Sequence, residues 1–209
     1  MRGLALLSMA ALLLLCAQAG HAAVVYSGLK DIVIPANDNG VYINVASGIS
    51  TTLPPADPNS GPWLNLFFGG TAIGSGIRIE PLITAPPTGN GDGLVMRLVG
   101  LQYVGPDMDF ASGENGSENH TGTAPNQFQS GEEGFLAFRM ITFQGGPEHY
   151  GWMRLIVSSD GTGTVHDWAY EELADTGIET SDVPECGAPI LALLALFPWL
   201  RSRRRPGNA

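Results

Sequence analysis

The middle of the chain alternates short apolar runs with clusters of glycine, proline, asparagine and aspartate. Short apolar runs bounded by such turn-forming residues are typical of β-strands. The pattern predicts strands at 31–35, 41–46, 63–68, 77–83, 94–104, 135–143, 150–158 and 163–170. Strands at this spacing predict an all-β fold, a single-domain β-sandwich or jelly roll.

The last two predicted strands form a hairpin whose turn lies at 159–161. Because side chains alternate along a strand, its first strand has two faces, Tyr150-Trp152-Arg154-Ile156-Ser158 and Gly151-Met153-Leu155-Val157. The same rule on the returning strand groups Val165, Asp167 and Ala169 on one face, and on the other Thr164, His166, Trp168 and Tyr170. We expect His166 to be an edge residue that is hydrogen-bonded to its neighbours.

A polar stretch at 105–134 interrupts the strand pattern and is too long for a routine turn. Within it, Asp107, Asp109 and Glu114 supply carboxylate oxygens of the kind that Ca²⁺ prefers. The spacing lacks the remaining ligands of a complete calcium loop, so a solvated acidic loop is the favoured interpretation and calcium binding is the alternative. Calcium is the one cofactor that the sequence raises.

The first 22 residues predict a secretory signal peptide, a helical segment with Arg2 before an apolar run at 4–17. Small residues follow that run, so we expect cleavage after Ala19 or Ala22. Lipidation of Cys16 is the alternative, but a bulky leucine precedes it where a lipoprotein signal has a small residue. The signal predicts an exported protein.

A second apolar segment, uncharged from 187 to 200, lies near the other end of the sequence. The 15 residues at 186–200 would span ~22 Å as a helix, against ~30 Å for a bilayer core. Pro189 and Pro198 weaken such a helix further. The basic cluster that follows, which favours the cytoplasmic side, consists of Arg201, Arg203, Arg204 and Arg205. We therefore expect transient membrane association before processing, with a permanent anchor as the alternative.

The order Val183-Pro184-Glu185-Cys186, apolar segment and arginine cluster resembles the PEP-CTERM sorting signal of exported bacterial proteins. Cys186 stands where that family has its second proline. The stretches 149–155 and 167–171 are similar to the last strands of many PEP-CTERM proteins. The resemblance implies recognition by an exosortase-like sorting protease and delivery to the outer surface or the extracellular matrix.

These signals divide the chain into a signal peptide at 1–22, a β domain at 23–182 and a sorting segment at 183–209. Residues 24–182 contain 19 acidic and five basic side chains, a difference of 14 negative charges. Such a charge repels phosphate backbones, which excludes nucleic acid as a partner. Both cysteines, Cys16 and Cys186, fall outside the domain, so its stability must come from burial of a core.

Candidate catalytic groups are sparse in the sequence. It contains no serine elbow and no histidine pair at metal-ligand spacing, so we assign no catalytic residue. Two pairs of adjacent glutamates lie beside predicted strands, Glu132-Glu133 and Glu171-Glu172. Adjacent residues of an extended chain point to opposite faces, so neither pair brings its two carboxyl groups together. A glycoside hydrolase needs two carboxyl groups that face each other, and a partner from elsewhere in the chain would have to supply one.

The aromatic residues have two interpretations, a buried core or an exposed platform for sugar rings, and core burial is favoured. They are Trp63, Phe67, Phe68, Tyr103, Phe135, Phe138, Phe143, Tyr150, Trp152, Trp168 and Tyr170. The sequence predicts a non-catalytic exported protein of the extracellular matrix or envelope, with polysaccharide binding as an extension. The alternative is an extracellular carbohydrate-active hydrolase that uses Asp or Glu.

Overall fold

The computed structural model of the protein describes residues 24–83, 94–115 and 128–181. The all-β prediction is confirmed, because these residues form strands and one 3-10 turn, Phe68–Gly70. The strands are β1 (Val24–Tyr26), β2 (Ile32–Ile34), β3 (Val41–Asn44), β4 (Ser50–Thr51), β5 (Trp63–Phe67), β6 (Ala72–Ser75), β7 (Ile79–Pro81), β8 (Arg97–Leu98), β9 (Tyr103–Val104), β10 (Gly113–Asn115), β11 (Glu133–Met140), β12 (His149–Val157), β13 (Gly163–Glu171) and β14 (Ile178–Glu179).

The strands form three antiparallel sheets. The central sheet has the order β1-β13-β12-β11-β7, with β2 also paired to β13 and β8 to β11. The outer sheet has the order β10-β6-β5-β3-β4. A small sheet consists of β9 and β14. All three sheets therefore join segments that are far apart in the sequence.

The main hydrophobic core lies between the central and outer sheets. Alternation along β3 and β5 directs Ile43, Leu64 and Leu66 into it, and all three are fully buried. From the central sheet, Phe138 and Leu155 enter the same cluster. Period-two alternation therefore leaves the opposite face of the outer sheet free of core-forming side chains.

A second core covers the other face of the central sheet. Val104 of β9 and Ile178 of β14 are buried there against Tyr150, Trp152 and Ala169. The sheets are thus stacked in the order outer, central, small. The central strands are covered on both faces, which explains why β12 is buried along almost its whole length.

Trp168 connects two of these layers. Its ring is buried in the main core, and its Nε1 donates a hydrogen bond to the carbonyl oxygen of Val45 at 2.9 Å. Val45 follows β3 of the outer sheet, so this bond satisfies a buried donor and joins the two sheets.

The β12–β13 hairpin is confirmed, but the predicted faces of β13 are wrong at Val165. Val165 pairs with Leu155 and Asp167 with Arg154, which leaves His166 as an extra residue in a β-bulge. Val165 therefore lies in the main core, whereas Ala169 lies in the second core. A bulge adds one residue and reverses the alternation that follows it.

Other predicted strands differ in extent. The predicted strand at 94–104 divides into β8 and β9, because Leu101 between them has a positive φ of 61° that no strand accommodates. The predicted strand at 77–83 shortens to β7. Five short strands were not predicted, namely β1, β4, β6, β10 and β14.

Gly151 and Gly74 provide a matched test of packing, since both lie inside strands. A Cβ at Gly151 would overlap the ring of Phe138 and approach the carbonyl oxygen of Ala169 at 2.6 Å. A Cβ at Gly74 would meet its nearest neighbours at an ordinary 3.7 Å. Urea unfolding of the full chain should show Gly151→Ala to lower the free energy of unfolding by ~1–3 kcal/mol, as overpacking does. Gly74→Ala should leave it unchanged, and equal losses for the two variants would contradict this packing.

Candidate functional site

A groove of about 480 Å³ lies on the exposed face of the outer sheet. Its floor is a row of residues that are directly paired across three strands, Tyr42 of β3, Asn65 of β5 and Gly74 of β6. Trp63 lies two residues from Asn65 and therefore on the same face. The lining is Tyr42, Pro58, Asn59, Trp63, Asn65, Gly74, Ser75, Gly76, Ile77, Ser112 and Gly113.

Hydrogen bonds fix both walls of the groove. On one side, Asp57 Oδ1 accepts from the backbone N–H of Asn59 at 2.8 Å, and its carbonyl oxygen accepts from Ser60 Oγ at 2.7 Å. On the other side, the backbone N–H of Gly113 donates to Ser75 Oγ at 3.1 Å. The groove is therefore a preformed feature of the fold, as ligand sites usually are.

The chemistry of the groove is aromatic and amide, with no acidic or basic side chain among the described residues that line it. Trp63 Nε1 and Asn65 Oδ1 are buried atoms without a hydrogen-bond partner in the described part of the chain. An unsatisfied buried polar atom costs ~1–3 kcal/mol, so its presence asks for an explanation. Two residues of the floor thus carry polar atoms that the fold itself leaves unsatisfied.

The predicted calcium ligands lie on two different segments of the chain. Asp107 and Asp109 are exposed in the segment after β9, whereas Glu114 lies in β10 at the edge of the outer sheet. Within 24–83, 94–115 and 128–181, no group of three or more His, Cys, Asp or Glu residues could hold a metal ion. Calcium binding stays a prediction.

Arg139 gathers two carboxylates of the kind that a hydrolase would need. It donates to Glu80, and its Nη1 lies 3.2 Å from Glu148 Oε1. Glu148 also accepts a hydrogen bond from the hydroxyl of Tyr150 at 2.7 Å. The adjoining cavity is only about 110 Å³, well below the size of ordinary ligand pockets. This cluster ties β7, β11 and β12 together.

Three of the four carboxylates considered for catalysis in the sequence have similar structural partners. Glu132 pairs with Arg97 at 2.9 Å, and Glu133 lies 3.8 Å from Arg154. Glu171 is buried, and its Oε1 accepts from the backbone N–H of Leu173 at 2.9 Å. Each of these three carboxylates contributes to holding its own segment of the fold.

A second polar cluster surrounds the bulge in β13. Arg154 binds buried Asp167 through two hydrogen bonds, of 2.9 and 2.6 Å. The hydroxyl of Tyr26 donates to Asp167 at 2.7 Å, and this bond, with burial, raises the pKa of Tyr26. His166 Nδ1 lies 2.7 Å from Asp31 Oδ1, so the expected hydrogen bond to a neighbour is present. The expected edge position is wrong, because β13 lies inside the central sheet between β12 on one side and β1 and β2 on the other. The cluster fastens β1 to the hairpin.

The aromatic residues divide between the two interpretations. Core burial is confirmed for Phe138, Tyr150, Trp152 and Trp168. Trp63 is only half-buried and borders the groove, while Tyr103 and Phe143 are exposed. Tyr42 and Asn65 were not singled out from the sequence. Alternation against Ile43 and Leu64 places them on the exposed face, but their pairing across strands is not visible in the sequence.

The signal peptide predicted at 1–22, the motif Val183 to Cys186 and the arginine cluster lie outside the described residues. In the described part of the chain, no helix is long and apolar enough to cross a membrane. No protein-family model matches the chain, and comparisons with curated proteins and with solved structures give no match. The function is therefore inferred from the chemistry of the groove.

Tyr150 makes stability depend on pH in alkali. Burial and the hydrogen bond to Glu148 raise its pKa to about 12, whereas the unfolded chain ionises it near 10. Between these values only the unfolded state loses the proton, so the contribution to stability is full below pH ~10 and is lost as the pH rises towards 12. The midpoint temperature of thermal unfolding, measured from pH ~9 to pH ~12, should fall less steeply for Tyr150→Phe than for the unchanged chain. Parallel slopes would contradict this assignment.

Proposed function

We propose that the protein is a non-catalytic, exported carbohydrate-binding protein that holds a neutral polysaccharide in the groove of the outer sheet. One observation carries the proposal: Tyr42, Trp63 and Asn65 lie together on an exposed sheet face within a preformed groove of about 480 Å³. This volume lies within the ordinary range for small-ligand sites.

Sugar rings suit this combination of side chains. A pyranose has apolar C–H faces and a rim of hydroxyl groups, so it binds where aromatic rings and amide groups are adjacent. Trp63 and Tyr42 would supply the aromatic surface, and Asn65 and Asn59 the amides. Gly74 supports the proposal as well, because a side chain at that position of the floor would occupy the groove.

The charge distribution favours a neutral ligand. Residues 24–182 have an excess of 14 negative charges, yet the described lining of the groove has no acidic or basic side chain. An anionic polymer would be repelled by the field of the domain, and a cationic one would find no carboxylate in the groove. A neutral polysaccharide meets neither obstacle.

The destination of the protein belongs to the same proposal. The signal peptide, the PEP-CTERM-like motif and the basic tail support export and handling by an exosortase-like protease, with delivery to the outer surface or the extracellular matrix. The two facing sheets support the β-sandwich interpretation, and the short flanking helices at both ends stay a prediction from the sequence. A matrix or envelope component with a polysaccharide groove fits such a destination.

Trp63→Ala is the direct test of the groove. Loss of its ring should weaken binding of a neutral polysaccharide by ~10-fold or more, as the loss of an aromatic anchor does. Affinity electrophoresis across a panel of neutral glycans measures the change. Phe143→Ala is the matched control, because Phe143 is an exposed aromatic residue outside the groove. Equal binding by the two variants, or turnover of the glycan that depends on one carboxylate, would contradict the proposal.

Salt dependence provides a second test. Because neither partner contributes charge at the groove, the affinity for a neutral polysaccharide should be unchanged between ~0.05 and ~0.5 M NaCl. Binding to a carboxylated polysaccharide should be undetectable at the lower concentration. Affinity that falls steeply with salt would show that charged groups outside the groove are responsible.

A further inference from the structure

Three exposed apolar side chains occupy alternate positions where the chain enters the small sheet. Val99, Leu101 and Tyr103 are 54, 78 and 55% exposed, and we call them the 99–103 patch. The ring of Tyr103 lies over the backbone of Gly105 and Gly177, where a Cβ at either position would overlap it. The fold therefore supports this aromatic ring at the surface instead of burying it.

The C-terminal end of the described chain is fixed next to this patch. The backbone N–H of Thr180, a fully buried residue, donates to the carbonyl oxygen of Gln102 at 2.9 Å. In return, the N–H of Gln102 donates to Thr180 Oγ1 at 3.1 Å. Gln102 Oε1 also accepts from the N–H of Val99 at 3.0 Å. These bonds place the exit of the chain beside the patch.

The distance between this exit and the apolar segment is short. Five residues, 182–186, separate Ser181 from the uncharged run at 187–200. Even fully extended, the six residue steps from Ser181 to Gly187 span at most ~22 Å. A membrane that holds the apolar segment must therefore lie close to the exit and to the 99–103 patch.

We propose that the 99–103 patch is the membrane-facing surface of the domain and contacts the interface of a zwitterionic bilayer while the apolar segment is inserted. This inference rests on the export and sorting of the proposed function, and on the transient membrane association predicted for that segment. Leucine and valine enter the edge of the acyl region, and tyrosine is enriched at the level of the headgroups. The acidic excess of the domain disfavours an anionic lipid surface.

The layer order then sets how the groove is presented. Val104 and Ile178 point from the small sheet into the second core, so Tyr103, which alternates with Val104, lies on its outward side, and Val99 and Leu101 are exposed just before it. The groove lies on the outward face of the outer sheet, at the other end of the stack. A domain held by its patch presents the groove away from the membrane.

Spin labels on the full chain in phosphatidylcholine vesicles test this orientation. With Cys16→Ser and Cys186→Ser as background, labels are attached through Leu101→Cys in the patch or through Leu53→Cys. Leu53 is the matched control, a 73% exposed leucine that follows β4 of the outer sheet. Leu193→Cys reports on the apolar segment.

The ratio of oxygen to nickel-chelate accessibility should be several-fold higher at 101 than at 53. In the unlabelled chain, vesicles should slow amide exchange at 97–104.

Each other outcome overturns the proposal in a distinguishable way. A lipid-exposed label at 193 with aqueous labels at both 101 and 53 refutes the patch alone. An aqueous label at 193 refutes the membrane association of the segment and the patch with it. A label at 101 that is already shielded without vesicles shows that the tail or a second copy covers the patch. None of these results affects the polysaccharide assay, so the two proposals fail separately.

Discussion

The extra residue in β13 determines which side chains reach each core. Val165 and Trp168 are three residues apart, yet both enter the main core, because His166 interrupts the alternation between them. Without the bulge, Asp167 would follow Val165 into the same apolar layer, where an ionised carboxylate is costly. With it, Asp167 lies on the face of Arg154 and Tyr26 and is satisfied by both.

Because the central sheet is buried on both faces, the outer sheet needs to contribute only one apolar face to the core. One face of the outer sheet packs into the main core. No other sheet formed by the described residues covers its opposite face. Tyr42, Trp63 and Asn65 can therefore remain on that face without loss of core packing. The groove exists because the hydrophobic burial of the fold is concentrated around β11, β12 and β13.

The parts of the fold that the sequence could predict are those with local signals. Alternation over several residues identified β3, β5 and the hairpin, whereas β6 and β10 are short, contain glycine and are recognisable only from their partners. The bulge at His166 and the break at Leu101 leave no periodic signal, since each is one residue long. The groove was beyond sequence reasoning for a different reason: its floor depends on the pairing register of three strands.

The hydrogen bonds of Thr180 limit how far a protease could shorten the chain from its C-terminal side. A protease needs several residues of extended, unpaired backbone, and from Thr180 inward the chain is held by the bonds to Gln102 and by the burial of Ile178. Digestion that begins in the tail would therefore stop close to Ser181. Loss of the residues after Ser181 would leave a domain with a defined end and an intact second core.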